Sequence, residues 1–181
     1  MKMRLLRLGL TACLLAQGAS ATGQDSPPTI AEPNETEPLM FGAALDRARV
    51  RPGDKVTLNL YLRIRQGWHT YAKVPPDEPY VKTRWLLTID KGASAVDEWV
   101  TPLPVPDKRN ARLMLYESQA NPLHVSRVIQ VDRAAAGEIK LLTGMLYQVC
   151  NARRCLPPTR RIVELKLTVS GARKQRDEGQ K

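Results

Sequence analysis

The chain has 181 residues, 43% of them hydrophobic, which suits one globular domain with polar ends; a core of that size needs no disulfide merely to fold. Its 14 prolines and 11 glycines, with a single Phe, exclude a helical bundle and indicate short segments joined by turns. The net charge of +10 is spread over every segment without aromatic interleaving or a recognition helix. No nucleic-acid partner is therefore expected, and the excess reads as solvated strand faces plus a basic rim that suits acidic partner surfaces.

Met1–Arg7 carries Lys2, Arg4 and Arg7 with no acid, and Leu8–Ala16 is apolar. Ala19-Ser20-Ala21 has the small-x-small form that signal peptidase reads, so residues 1–21 are expected to be a signal peptide directing export. Leu10-Thr11-Ala12-Cys13 offers an alternative, a lipobox with Cys13 bearing the lipid. The apolar run continues through Leu14-Leu15, where a lipoprotein usually turns polar, which favours cleavage near Thr22. No later run is long enough to span a bilayer, so no integral membrane segment is expected in the mature chain. Loss of the signal leaves Cys150 and Cys155 of the 3 cysteines. An exported chain with two thiols five positions apart invites a redox reading, because its compartment is oxidising.

Residues 22–38 (TGQDSPPTIAEPNETEP) are proline-rich and acidic and read as a disordered leader; residues 170–181 read as a disordered polar tail. The folded unit is then residues 39–169. A short helix is possible at Gly42–Arg49. Arg51-Pro52-Gly53-Asp54 predicts a type II turn. After it Val56, Leu58, Leu60, Leu62 and Ile64 alternate with more polar residues, the pattern of a half-buried strand. Trp85, Leu87 and Ile89 repeat the pattern before Lys91-Gly92, and Val125, Arg127, Ile129 and Val131 do so more weakly. The segment Pro102–Asn121 reads as a long functional or mobile loop. Two strands bracket the cysteines, one with Ile139, Leu141, Thr143, Met145, Tyr147 and Val149 on a face, the other with Arg161, Val163, Leu165, Leu167 and Val169. Six to eight such strands predict an all-β fold, an immunoglobulin-like antiparallel β-sandwich.

The cysteine segment is YQVCNARRCLPP, Tyr147 to Pro158. Two strands joined by four residues would set Cys150 opposite Cys155, with Cα atoms ~4.5–5.5 Å apart and within disulfide range. So short a ring stabilises by roughly 2 kcal/mol, against about 4–5 for a loop of a hundred residues, which makes it a weak staple. Arg153 and Arg154 favour thiolate over thiol, Asn151 tolerates φ > 0 at the turn, and Pro157-Pro158 stiffens the exit. Spacing and charge leave two roles open: an inert hairpin clasp or a redox pair.

That segment, with the following strand RRIVELKL, resembles the signature of the N-terminal periplasmic domain of DsbD-type thiol:disulfide interchange proteins. Gly67-Trp68-His69-Thr70-Tyr71-Ala72 is similar to the family's earlier G-W-H-x-Y-type segment, and the likeness runs from about Phe41 to Val169. The resemblance implies a protein-disulfide reductase module in the periplasm with Cys150 and Cys155 as its redox pair and no cofactor. It implies electrons taken from a membrane-embedded thiol donor and passed to periplasmic thioredoxin-like proteins, with Cys155 meeting the acceptor. Tyr71, Trp68, Tyr147 and Gln148 would line or shield the pair. A cap loop would fall within Asp107–Gln119, with Leu113, Met114 or Tyr116 as its shield. The segment DKRNARLMLYESQ lacks the acidic-aromatic cluster of better-known members, and the cysteines are separated by four residues where some members have five. With no further domain after Val169, a stand-alone module is expected.

His69 and His124 lie far apart and lack metal-ligand spacing, so no metal site is expected with the two cysteines. Trp68, Trp85 and Trp99 suit a sandwich core. The carboxylates show no hydrolase pairing, and neither a phosphate-binding loop nor a nucleophile elbow is present. The reading from another class is a non-catalytic binding or assembly module with a permanent Cys150–Cys155 clasp.

Overall fold

A computed structural model of the chain describes residues 28–117 and 119–171. The expected signal peptide (residues 1–21) with Cys13, residues 22–27 and residues 172–181 lie outside the described residues. Among those described there are twelve strands and no helix, and hence none long and apolar enough to cross a membrane. The strands form the expected immunoglobulin-like antiparallel sandwich, with a third, smaller sheet at one end.

The first sheet has the order β1-β3-β9-β6, where β1 is Leu39–Leu45, β3 Lys55–Ile64, β9 Leu123–Val131 and β6 Ala93–Ala95. Strand β3 shows why the alternation matters: Val56, Leu58, Leu60, Leu62 and Ile64 are all buried while their neighbours are not. Each such side chain contributes roughly 1.5–3 kcal/mol by leaving water. The strand starts from the expected turn, in which Gly53 takes φ 84° and Asp54 N–H donates to Arg51 O at 3.1 Å. Gly42–Leu45 forms no helix. It pairs in β1 with Leu58–Tyr61, because the β3 edge supplies ladder partners and burial of Leu39 and Leu45 outweighs a weak helical pattern.

The second sheet has the order β2-β12-β10-β5, with β2 Arg49–Val50, β12 Thr159–Val169, β10 Gly137–Tyr147 and β5 Arg84–Ile89. Its ladders are antiparallel except for the short parallel β2–β12 contact. Two apolar clusters fill the sandwich. One is built on Leu60, Leu62, Trp68, Tyr116, Met145 and Tyr147, the other on Leu58, Ile129, Ile139, Leu141 and Leu167.

The third sheet has the order β11-β4-β8-β7, with β11 Val149–Asn151, β4 Trp68–Lys73, β8 Met114–Glu117 and β7 Val105–Pro106. Part of the expected loop Pro102–Asn121 is thus strand. Leu113-Met114-Leu115-Tyr116 is a continuous apolar run because the strand is covered on both faces, so it shows no alternation. The cysteines face each other in an antiparallel bridge, as the spacing predicts. They lie outside the long β10–β12 ladder, whose last pair is Tyr147 with Thr159, in the connection between those strands. Pro157 and Pro158 donate no ladder hydrogen bond, so pairing resumes only at Thr159. The chain leaves the second sheet at Gln148 and enters the third at Val149.

Residues 28–38 carry more order than their composition predicts. Glu32 pairs with Arg63 at 2.5 Å, Glu35 with Arg65 at 2.7 Å, and Glu37 with Arg161. Exposed pairs add little individually. The firmer anchor is Arg65 N–H donating to the carbonyl of buried Pro38 at 2.9 Å.

Gly144 lies in β10 between Leu86 and Ile162, and a Cβ there would stand 2.0 Å from the Arg161 carbonyl oxygen. Backbone cannot yield as a flexible side chain can, so Gly144→Ala is expected to lower stability by about 1–3 kcal/mol. Chemical denaturation against Gly171→Ala, where nothing lies within 4 Å of the added Cβ, measures this; equal midpoints would contradict it.

Candidate functional site

Strand β4 organises the site because its two faces meet different surroundings. Residues alternate across a strand, so Trp68 and Thr70 turn toward the sandwich while His69 and Tyr71 turn away from it. On one flank Cys150 pairs with His69 and Val149 with Thr70; on the other Leu115 pairs with Tyr71 and Tyr116 with Thr70. The same alternation sends Val149 and Tyr116 into the sandwich core and gathers Tyr71, Leu113, Leu115 and Cys150 into a separate buried cluster.

Cys150 and Cys155 are joined by a disulfide, with Cα atoms 4.0 Å apart. The two halves of the bond differ in access: Cys150 is 1% exposed, whereas Cys155 is an exposed residue. The intervening turn holds itself closed. Asn151 Oδ1 accepts from the N–H groups of Arg153 and Arg154, each at 2.9 Å. Asn151 N–H donates to Arg154 O, and Leu156 N–H to Val149 O, both at 2.9 Å. Asn151 therefore acts through its side-chain acceptor; no non-glycine residue described has positive φ.

An open depression of about 440 Å³ faces Cys155. It is lined by residues 151–154 and Cys155, by Tyr71 and Tyr80, and by Asp107, Arg109, Asn110 and Leu113. The two tyrosine rings stack with centroids 4.6 Å apart. The 107–113 turn is tied internally by Asp107 N–H to Leu113 O at 3.0 Å. It is tied to the 75–80 segment by Asn110 Nδ2 donating to Glu78 Oε1 at 2.7 Å and by the Arg112–Asp77 ion pair at 2.5 Å.

Of the residues read from sequence, the fold brings Tyr71 and Leu113 to the disulfide's cluster. Trp68 lies in the sandwich core but touches the site through Arg154, whose guanidinium carbon is 5.7 Å from the ring centroid. Tyr147 is a core residue, and Gln148 Oε1 accepts from Val81 N–H at 3.0 Å. Tyr116 packs in the core against Trp85, and half-buried Met114 pairs with Lys73 and Pro106. Of the three residues expected in a cap, Leu113 shares the buried cluster of Cys150. His124 lies on β9, its Nε2 2.8 Å from Asn59 Oδ1. Sequence reasoning passed over Tyr80, Asp107 and Arg109 as individual lining residues; nothing in local spacing joins them to Cys155.

Tyr71 is pushed well above the usual phenol range, chiefly by burial and then by its neighbour Tyr80. His69, with Nε2 3.4 Å from the Tyr71 hydroxyl, is held below 6.5 by burial, against the opposing pull of Asp107 and Glu117.

A family model described as thiol:disulfide interchange protein DsbD, N-terminal, matches residues 36–167. Among solved structures, the N-terminal periplasmic domain of ScsB from Proteus mirabilis aligns at 16% identity over 77% of this chain and 50% of that one, TM-score 0.45. The chain thus spans half the length of that relative. The DsbD N-terminal domain of Neisseria meningitidis in the reduced form aligns at 16% identity over 66% and 80%, TM-score 0.31. The sixth cohesin of Acetivibrio cellulolyticus scaffoldin B aligns at 10% identity over 72% and 99%, TM-score 0.42. No curated protein matches the chain.

The buried imidazole has a thermodynamic consequence. The unfolded chain takes up a proton on His69 near 6.5, the folded chain only at lower pH, so stability falls as pH drops below about 6.5. In a pH series of thermal unfolding, His69→Asn is expected to flatten that part of the decline. An unchanged decline would assign it to other groups.

Proposed function

The chain belongs to the DsbD N-terminal family of thiol:disulfide interchange proteins, and on that premise we propose that it relays reducing equivalents in the periplasm through Cys150 and Cys155. The relay runs from a membrane-embedded thiol donor to thioredoxin-like acceptors. The observation that carries this reading is the redundancy of the bond as a clasp. The 151–154 turn is already closed by backbone and Asn151 hydrogen bonds, and the sulfurs join residues that β-pairing holds together. A disulfide that adds little to the fold is suited to opening and closing.

Access assigns the steps. A donor thiolate attacks Sγ of exposed Cys155; the S–S bond breaks and its electron pair leaves on Cys150. The donor's own second thiolate then attacks its sulfur in the mixed disulfide and releases Cys155 as a thiolate. The donor is oxidised by two electrons, and Cys150 and Cys155 take two protons from solvent. In the forward direction Cys155 attacks an acceptor disulfide and Cys150 resolves the product, returning the pair to its oxidised form. Arg153 and Arg154 favour the Cys155 thiolate electrostatically. The apolar cluster of Tyr71, Leu113 and Leu115 confines Cys150 so that only its bonded partner is in reach.

Equilibration with glutathione buffers is expected to reduce the pair at a potential above about −300 mV, where structural disulfides resist. Iodoacetamide should alkylate the remaining thiol of Cys150→Ala much faster than that of Cys155→Ala. A bond that survives every glutathione ratio would instead identify a permanent clasp.

A further inference from the structure

The walls of the depression are charged unequally. Arg109 comes from the 107–113 turn, and Arg153 and Arg154 come from the turn between the cysteines. All three are exposed, and none joins an ion pair among the described residues. Arg154 instead spreads over the Trp68 ring. Asp107 is the one carboxylate lining the depression, and its Oδ1 already accepts from Arg109 N–H at 2.7 Å. The nearby acids are engaged elsewhere, Asp77 with Arg112 and Glu78 with Asn110. Cys155 is therefore approached past three guanidinium groups against one carboxylate.

Resting on the exchange reading above, we infer that the depression is a charge-selective docking site for a protein partner that carries carboxylates beside its reacting sulfur. Both arginine sources line the same depression as Cys155, so an incoming chain meets cations from two separate segments beside its sulfur. Guanidinium groups suit this task because their planar donor forks bind carboxylates in two-point fashion. The stacking of Arg154 on Trp68 limits the rotamers that must be ordered when a partner docks. The same charges oppose a partner whose cysteine is flanked by lysines, so the site rejects as well as selects. This is a function of these arginines separate from thiolate stabilisation, since lowering a Cys155 thiol pKa would speed exchange with every partner alike.

The discriminating quantity is a ratio of rates. Three blocked tripeptides, Asp-Cys-Asp, Ser-Cys-Ser and Lys-Cys-Lys, are offered as reductants to the oxidised protein. Each rate is divided by that peptide's rate with the neutral disulfide of mercaptoethanol, which removes differences in intrinsic thiol reactivity. At low salt the acidic peptide is expected to react roughly tenfold faster than the basic one, as opposite charges a few ångströms from a net positive site predict. About half-molar salt should shrink the ratio toward one. Arg109→Gln with Arg153→Gln should shrink it at low salt, leaving Arg154 and its packing on Trp68 in place. Equal rates for acidic and basic peptides in the unaltered protein at low salt would overturn the inference, as would a preference that survives both salt and the double substitution. If no peptide opens the bond while dithiothreitol does under denaturing conditions, the exchange reading itself fails; equal but measurable rates leave that reading standing and sink the charge selection alone.

Discussion

Everything at the site depends on one short strand being covered on both faces. Strand β4 turns Trp68 and Thr70 into the sandwich and His69 and Tyr71 outward, and its register with β11 puts Cys150 on the outward side. A slip of one residue would exchange the faces, sending Cys150 into the main core and Val149 into the outer cluster. The inner face prevents that slip, because Trp68, Tyr116 and Val149 are apolar groups locked in a close-packed core. Core packing thereby sets the position of a sulfur that lies outside the main core.

The disulfide spans a boundary between two environments. Cys150 belongs to a dry cluster with Tyr71, Leu113 and Leu115, while Cys155 stands in an open, polar depression. Opening the bond would leave one sulfur without access to a partner and the other facing it. The turn between them is held by Asn151 and backbone hydrogen bonds as well as by the sulfur–sulfur link. The 107–113 turn is fastened by the Asp77–Arg112 ion pair and the Glu78–Asn110 hydrogen bond, and neither of these carboxylates lines the depression. Structure and electrostatics at the site are thus linked through the same few side chains.

Strands with one wet face were legible in the sequence, and those with none were not. The β3 alternation from Val56 to Ile64 and the paired faces of β10 and β12 follow directly from period two. Strand β8 escaped because Leu113-Met114-Leu115-Tyr116 reads as an unbroken apolar run, and Gly42–Arg49 reads as weakly helical until the β3 edge is taken into account. At the site, the cysteine pair and Tyr71 stood out by motif. Leu113 could be separated from Met114 and Tyr116 only once the strand's alternation was known.

By itself the sequence determined the all-β class, the spacing that permits Cys150 and Cys155 to bond, and the positive charge between them, since each follows from neighbours along the chain. Which cysteine is buried, which residue of the 113–116 run meets it, and that Arg109 lines one depression with Arg153, Arg154 and Cys155 were decided by tertiary structure alone. These properties arise between segments tens of residues apart, and burial and field at a point depend on every element that packs there, not on the residues adjacent in sequence.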